Sequence, residues 1–135
     1  MQAGRQRGQA RGGNERVLLA DDEQLVLAVV TQHLQEAGYQ VTAVRDGHDV
    51  LRIFERAPDD YDILVLDVMM PRMTGNEAAG RCRQIRPDLP VVFCSGYAGE
   101  YQNLAGNGET TLLVFKPFEI QQLLHAIRDL LDRRR

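Results

Sequence analysis

The chain has 135 residues, of which 44% are hydrophobic and 26% charged, and its formal net charge at pH 7 is −3. This composition is ordinary for one globular domain, and the small negative charge gives no support to nucleic-acid binding by charge alone. The apolar runs are too short to span a bilayer, and no signal peptide is visible before Val17, so we expect a cytoplasmic protein. Cys82 and Cys94 are expected to be buried and reduced.

The amino terminus is rich in glycine and arginine. Residues 1–14 hold four glycines between arginines and glutamines, which predicts a disordered tail or linker ahead of a domain over residues 15–135. The run Arg16–Ala20, apolar after its first residue, predicts a first strand. Apolar residues at helical spacing then predict a helix over residues 24–37, which Gly38 is placed to end.

A second strand, a second helix and a third strand follow. Residues 40–44 alternate apolar and polar side chains, as a half-buried strand does. Asp46 can cap a helix that ends before Pro58. The run Ile63–Leu66 is apolar throughout and leads into Asp67, which fits a strand buried on both faces of a parallel sheet.

The carboxyl-terminal half continues this alternation. Thr74 can cap a third helix, and Val91–Ser95 predicts a fourth strand. Residues 96–111 are polar and rich in glycine, so any helix there should be short and weakly held. Leu112–Phe115 predicts a fifth strand, and a strongly amphipathic helix follows from Ile120.

Five strands that alternate with helices predict an α/β fold, a flavodoxin-like doubly wound parallel sheet with helices on both faces. For five strands the commonest order is 2-1-3-4-5, with a switch point between the first and third strands. The carboxyl ends of parallel strands lie at one edge of the sheet, so the polar residues that end the strands should meet there. These residues are Asp21, Asp22, Asp67, Ser95 and Lys116.

The residue types at this edge favour phosphoryl chemistry that depends on a metal. Three carboxylates in one crevice repel each other without a counter-charge, and Mg²⁺ binds few carboxylates together with a phosphate, so the predicted cofactor is Mg²⁺. Lys116 would add a fixed positive charge, and Ser95 a hydroxyl donor, for oxygens that gain charge during transfer. Asp67, on the central strand, is the best placed nucleophile and would form an acyl phosphate.

With these residues in place, the sequence resembles the response-regulator receiver domains of two-component signalling. The resemblance covers about residues 15–132 and rests on four motifs that are highly specific as a set. The motifs are Val17-Leu18-Leu19-Ala20-Asp21-Asp22-Glu23, Val65-Leu66-Asp67-Val68-Met69-Met70-Pro71 with Gly75, Ser95-Gly96-Tyr97, and Phe115-Lys116-Pro117-Phe118.

The resemblance implies a role for each acidic residue of the predicted site. Asp67 would be the acceptor of a phosphoryl group from a phosphohistidine. Asp22 and Asp67 would bind Mg²⁺ directly, together with the backbone carbonyl of Met69. Asp21 would act on the metal mainly through water.

The resemblance also implies partners and a mode of action. Ser95 would be the switch hydroxyl and Lys116 the partner of the phosphoryl group. The phosphodonor would be a sensor histidine kinase or a histidine phosphotransfer domain, and phosphorylation would change the binding of an output partner that the sequence does not name. Neither nucleic acid nor a membrane would be bound directly. The protein would be a bacterial switch that catalyses its own phosphorylation and dephosphorylation, and not a turnover enzyme.

Other interpretations stay open at this point. A pseudo-receiver would bind a partner without phosphorylation, although none of the five site positions has lost its functional residue. A flavin carrier on the same fold is disfavoured, because the acidic loop after the first strand would repel the flavin phosphate. The sequence does not distinguish a stand-alone regulator from a receiver fused to a hybrid kinase. Leu113, three residues before Lys116, stands where the family usually has a mobile aromatic side chain.

Overall fold

The computed structural model describes residues 8–96 and 108–134. Within these ranges five strands and four helices follow one another, with a 3₁₀ turn at Pro58–Asp60. Their bounds are β1 Arg16–Ala20, α1 Gln24–Glu36, β2 Gln40–Val44, α2 Gly47–Arg56, β3 Ile63–Asp67, α3 Gly75–Ile85, β4 Val91–Ser95, β5 Thr111–Phe115 and α4 Ile120–Arg133. The weak helix expected within residues 96–111 falls largely outside the described residues.

The five strands form one parallel sheet in the order β2-β1-β3-β4-β5. The predicted fold class and strand order are therefore confirmed. In the register of the sheet Asp67 lies opposite Cys94, and Ser95 lies opposite Phe115. The strand-ending polar residues thus reach the same edge of the sheet.

The sheet has a hydrophobic layer on each face. Alternate residues of the strands, such as Val17 and Val65, pack with α1 and α4. The residues between them, such as Leu18 and Leu66, pack with α2 and α3. Every residue of β3 is buried, as its unbroken apolar sequence predicted. The central strand therefore holds its terminal Asp67 on a rigid base.

Two helix caps predicted from the sequence are present. The Asp46 side chain accepts a hydrogen bond from the backbone N–H of Asp49 at the start of α2. Thr74 and Glu77 form a capping box at the start of α3. In the described part of the chain, none of the helices has both the length and the hydropathy that crossing a bilayer requires.

Residues 8–14, which the sequence places in the tail, lie against α4. The backbone N–H of Ala10 donates to Gln121, and the guanidinium of Arg128 donates to the carbonyl of Gly12. The backbone N–H of Gly13 donates to the carbonyl of Ala37 at the end of α1. The described part of the segment, residues 8–14, is thus held by hydrogen bonds of its polar backbone. Residues 1–7, the rest of the predicted tail, lie outside the described residues.

The close approach of this segment depends on a glycine beyond α1. Gly38 has a backbone φ of 103°, a left-handed conformation that glycine adopts without steric cost. A Cβ atom at this position would collide with the backbone carbonyl of Gly13. Gly38 therefore ends α1, as predicted, and also leaves space for the amino-terminal segment.

The two cysteines are buried and free, as expected. Burial raises the pKa of each thiol to about 12, so both thiols stay protonated at neutral pH. Cys82 packs from α3 and Cys94 from β4, in the hydrophobic layers on opposite faces of the sheet.

Candidate functional site

Three carboxylates meet at the carboxyl edge of the sheet. Asp21 and Asp22 follow β1, and Asp67 ends the neighbouring strand β3. One oxygen atom from each carboxylate lies within 4.8 Å of the others. Asp21 and Asp67 are buried, whereas Asp22 is more accessible to solvent. The convergence expected from the strand order is thus present in the structure.

Lys116 reaches the same place from the end of β5. Its Nζ atom lies 3.0 Å from Oδ2 of Asp21 and 3.4 Å from Oδ2 of Asp67. A third carboxylate, that of Glu23, is 3.7 Å away. The peptide bond that follows, Lys116–Pro117, is cis. We call Asp21, Asp22, Asp67 and Lys116 together the acidic site.

The electrostatics of the acidic site are dominated by burial and like charge. Burial, the charge of Asp21 and, to a lesser extent, that of Asp22 raise the pKa of Asp67 to about 7, although Lys116 opposes the shift. Burial works against the charged form of Lys116, but the hydrogen bond to Asp21 and the neighbouring carboxylates raise its pKa. One ammonium is thus set against three carboxylates, and this oxygen-rich, electron-rich donor set fits a hard divalent cation such as Mg²⁺.

Ser95 ends β4 and Met69 follows β3, so both lie at the carboxyl edge of the sheet. Ser95 is fully buried at the end of β4, and its backbone carbonyl accepts a hydrogen bond of 2.7 Å from the backbone N–H of Lys116. Met69 lies in the loop after β3, between the buried side chains of Val68 and Met70, and its own side chain is exposed. All the residues that the sequence analysis predicted for the site therefore lie at or next to the carboxyl edge of the sheet.

An apolar groove, which the sequence analysis missed, opens next to the acidic site. We call it the α1 groove; its volume is about 800 Å³, and Glu23 and Lys116 also line it. Its apolar lining comes from α1 and from the β5–α4 loop, and includes Leu25, Val26, Val29, Pro117, Phe118 and Ile120. The sequence did contain a signal for this groove. Leu25 and Val29 are apolar residues four positions apart, so they lie on one face of α1, outside the buried stripe of Leu27, Val30 and Leu34.

A second feature that the sequence analysis missed is an ion pair between the loop after β3 and the start of α2. The guanidinium of Arg72 donates to Oδ2 of Asp46 from both Nε and Nη2. The positively charged side chain and the helix-capping aspartate are 26 residues apart. Their sequence spacing follows no helix or strand period, so it gave no signal.

Comparison with known proteins gives a consistent result. The family model described as "Response regulator receiver domain" matches residues 17–128. The response regulator receiver protein CpdR of Brucella abortus (strain 2308) is 31% identical over 118 residues, which cover 87% of this chain and 97% of CpdR. The sensor kinase CckA of the same organism is 34% identical over 123 residues, or 90% of this chain, but the chain spans only 13% of that kinase.

The solved structures agree with the sequence relatives. A response regulator receiver protein from Sinorhizobium medicae WSM419 superposes with a TM-score of 0.83 at 31% identity, covering 90% of this chain and 98% of that one. The family model spans most of the chain, and the relatives share both sequence and fold with it. The chain therefore belongs to the response regulator receiver domains of two-component systems.

Proposed function

We propose that this domain accepts a phosphoryl group on Asp67, in a reaction that depends on Mg²⁺, and that phosphorylation changes its binding to a partner. The observation that carries the proposal is the convergence of three carboxylates and Lys116 at one edge of the sheet. The phosphodonor is a histidine kinase or a histidine phosphotransfer domain. The domain acts as a switch and not as a turnover enzyme.

The metal site of this proposal is made by Asp21, Asp22, Asp67 and the backbone carbonyl of Met69. Asp22 and Asp67 would be direct ligands, and Asp21 would act mainly through water. When bound, Mg²⁺ supplies positive charge to the oxygens of the phosphoryl group and of the carboxylates. The support is the donor set itself, because three carboxylates in a buried crevice leave more negative charge than Lys116 can balance.

The proposed step is a displacement at phosphorus. A carboxylate oxygen of Asp67 forms the new O–P bond while the P–N bond to the donor imidazole breaks, and the electron pair of that bond stays on the imidazole nitrogen. Asp67 must be ionised to attack, so the proposal requires neighbouring positive charge to lower its raised pKa. Lys116 contributes to this and is placed to bind the oxygens of the transferred group. Ser95 is the proposed switch hydroxyl.

We assign the α1 groove to the phosphodonor. A phosphohistidine must come within bonding distance of Asp67, so the donor protein has to cover the surface around the acidic site. The α1 groove opens beside Lys116 and Glu23, and the Leu25 side chain on its wall is 81% exposed. Apolar side chains of a donor helix would bury this surface, and burial of exposed apolar area is the usual driving force for such docking.

Several finer points follow from this proposal. The output partner is bound through a surface that changes on phosphorylation, and neither nucleic acid nor a membrane is bound directly. Histidine donors take their phosphoryl group from ATP, so we place the domain in the cytoplasm. The alternative of a pseudo-receiver without phosphorylation gains no support from the acidic site, in which all the residues needed for phosphorylation are present.

Incubation with Mg²⁺ and acetyl phosphate, followed by intact-mass analysis, tests the proposal. The wild-type protein should gain roughly 80 daltons, the mass of one phosphoryl group on the nucleophile. Asp67→Asn keeps the shape of the side chain and should abolish the gain. Asp59→Asn, at an exposed aspartate in the 3₁₀ turn, is the matched control and should behave as wild type. A wild-type protein that gains no mass would support the pseudo-receiver instead.

A further inference from the structure

Arg72 has an unusual backbone conformation in the loop that follows Asp67. Its φ is 67°, in the left-handed region, and in the described residues it is the single non-glycine residue with a positive φ. A side chain in this conformation carries a steric cost that glycine does not have. Such a conformation persists only where surrounding contacts hold it, and those contacts can be identified here.

The first contact is the ion pair between Arg72 and Asp46. Nε and Nη2 of Arg72 lie 2.9 and 2.6 Å from Oδ2 of Asp46. The other oxygen of Asp46, Oδ1, accepts the capping hydrogen bond from Asp49 at the start of α2. Burial disfavours the charged form of Asp46, yet the Asp49 N–H and the Arg72 guanidinium outweigh it and lower the pKa of this carboxyl. A buried, ionised carboxylate therefore joins the loop to the first turn of α2.

The second contact is between backbones. The N–H of Gly47 donates to the carbonyl of Met73, and a Cβ atom at Gly47 would collide with that carbonyl. The N–H of Met73 donates in turn to the carbonyl of Pro71, which tightens the turn around Arg72. The loop is thus attached to α2 at Arg72 and at the next residue, Met73. Its other end is fixed by the N–H of Gly75, which donates to the carbonyl of Val68.

We propose that Arg72 is a positioning residue for the divalent cation. The segment that it fixes begins directly after Asp67 and contains Met69, whose backbone carbonyl is the uncharged oxygen of the proposed metal site. The ion pair with Asp46 holds this segment in a single path, so that the carbonyl and the Asp67 carboxylate face the cation together. This inference rests on the proposed function, because it concerns the same metal site.

The sign of the change in Mg²⁺ affinity on removal of Arg72 distinguishes a positioning role from a purely electrostatic one. Arg72 is a cation on the loop next to three carboxylates. By Coulomb's law alone, its removal should strengthen the binding of Mg²⁺. Loss of positioning has the opposite effect, because a carbonyl oxygen that is free to move binds the metal less well. Residues that orient metal ligands typically contribute on the order of 10-fold in affinity.

Isothermal titration calorimetry with MgCl₂ measures this effect without any phosphorylation. Arg72→Ala and Asp46→Asn should each raise the Kd for Mg²⁺, by on the order of 10-fold. The double variant should be no weaker than the weaker single variant, because both changes remove the same contact. Arg52→Ala is the matched control: it removes a cation that pairs with Asp49, which also lies 3.6 Å from Arg72, but it leaves the Arg72–Asp46 ion pair in place. Its Kd should stay the same or fall.

Arg72→Gly keeps the test valid if the alanine variant folds poorly. Glycine takes a positive φ freely, so this variant should unfold at a temperature close to that of wild type and still bind Mg²⁺ more weakly, since the ion pair is gone. An unchanged or lower Kd in Arg72→Gly and Asp46→Asn would overturn the positioning role of Arg72 and leave the proposed metal site intact. A wild-type protein without measurable Mg²⁺ binding would overturn the proposed metal site, and the role of Arg72 with it.

Discussion

Lys116 and Asp21 form a 3.0 Å hydrogen bond across the acidic site. The same ammonium lies 3.4 Å from Oδ2 of Asp67, so in the unphosphorylated protein Lys116 is shared between two carboxylates of neighbouring strands. A phosphoryl group on Asp67 would bring further anionic oxygens into this space. On our proposal Lys116 then turns toward the phosphoryl group, and its contact with Asp21 weakens.

Lys116→Ala should slow the phosphorylation of Asp67. The substitution removes a charge-assisted contact worth about 1.5–3 kcal/mol, which corresponds to a rate reduced by about 10-fold or more. The rate at which acetyl phosphate adds mass to each protein gives the measurement. Because Lys116 is the only lysine in the chain, its side-chain NMR signal is unambiguous, and this signal should shift on phosphorylation of wild type. A normal rate in Lys116→Ala would exclude the proposed role.

The contribution of Asp67 to the free energy of unfolding of the metal-free protein should fall as the pH rises from about 4 to about 7. The pKa of Asp67 is raised to about 7 in the folded protein, above its value of about 3.9 in unfolded chains. In this window the folded state binds more protons at Asp67 than the unfolded state does, so the contribution of this group to the free energy of unfolding falls with pH. Above the folded pKa it changes no further.

Urea unfolding in the presence of a chelator measures this pH dependence. Between about pH 5 and about pH 7.5, the free energy of unfolding of wild type should fall, relative to that of Asp67→Asn, by on the order of 2 kcal/mol. Groups remote from Asp67 titrate alike in both proteins and cancel in the difference. Parallel pH profiles of the two proteins would show that Asp67 is not neutral in the folded, metal-free state.

The buried ion pair of Arg128 and Glu15 should contribute to stability. Nη2 of Arg128 lies 2.7 Å from Oε2 of Glu15, and both side chains are largely buried. Glu15→Gln leaves the guanidinium with a weaker partner, and should lower the free energy of unfolding by about 1–3 kcal/mol. Arg16→Ala breaks an exposed pair with Asp60 at 3.6 Å and should cost less than about 1 kcal/mol. Urea unfolding compares the two; equal losses would contradict this assignment.

Leu25→Asp should separate docking of the donor from the chemistry of Asp67. The Leu25 side chain is 81% exposed on the wall of the α1 groove, so a charge there should change the stability little. Phosphotransfer from a phosphohistidine protein should slow by about 10-fold or more, as expected when a charge is buried against an apolar partner. Phosphorylation by acetyl phosphate should be unchanged. Equal slowing with both donors would show that the substitution impairs the acidic site and would contradict a role of Leu25 in docking.

The sequence was sufficient to predict the fold and the residues at the carboxyl edge. Strand-ending residues such as Asp67 and Lys116 follow apolar runs directly, and parallel topology brings such positions together whatever their distance in the chain. Contacts between side chains far apart in sequence carry no comparable signal. Arg72 pairs with Asp46 across 26 residues, and Arg128 with Glu15 across 113.

The amino-terminal segment illustrates the same limit. Its composition lacks the apolar side chains that usually hold a segment to a core, and yet residues 8–14 lie against α4. They are held because polar groups on one helix, including Gln121 and Arg128, match backbone donors and acceptors of the segment. Which of the many arginines and glutamines in the chain make such contacts depends on the folded geometry, and not on local spacing.

Chemical trapping of the phosphorylated residue identifies the acceptor of the phosphoryl group. Hydroxylamine attacks an acyl phosphate and converts the modified aspartate to a hydroxamate, which peptide mass spectrometry locates in the sequence. After incubation with Mg²⁺ and acetyl phosphate, we expect a hydroxamate at Asp67, and none when Mg²⁺ is replaced by a chelator. A hydroxamate at Asp21 or Asp22, or trapping that is independent of Mg²⁺, would contradict the proposed function.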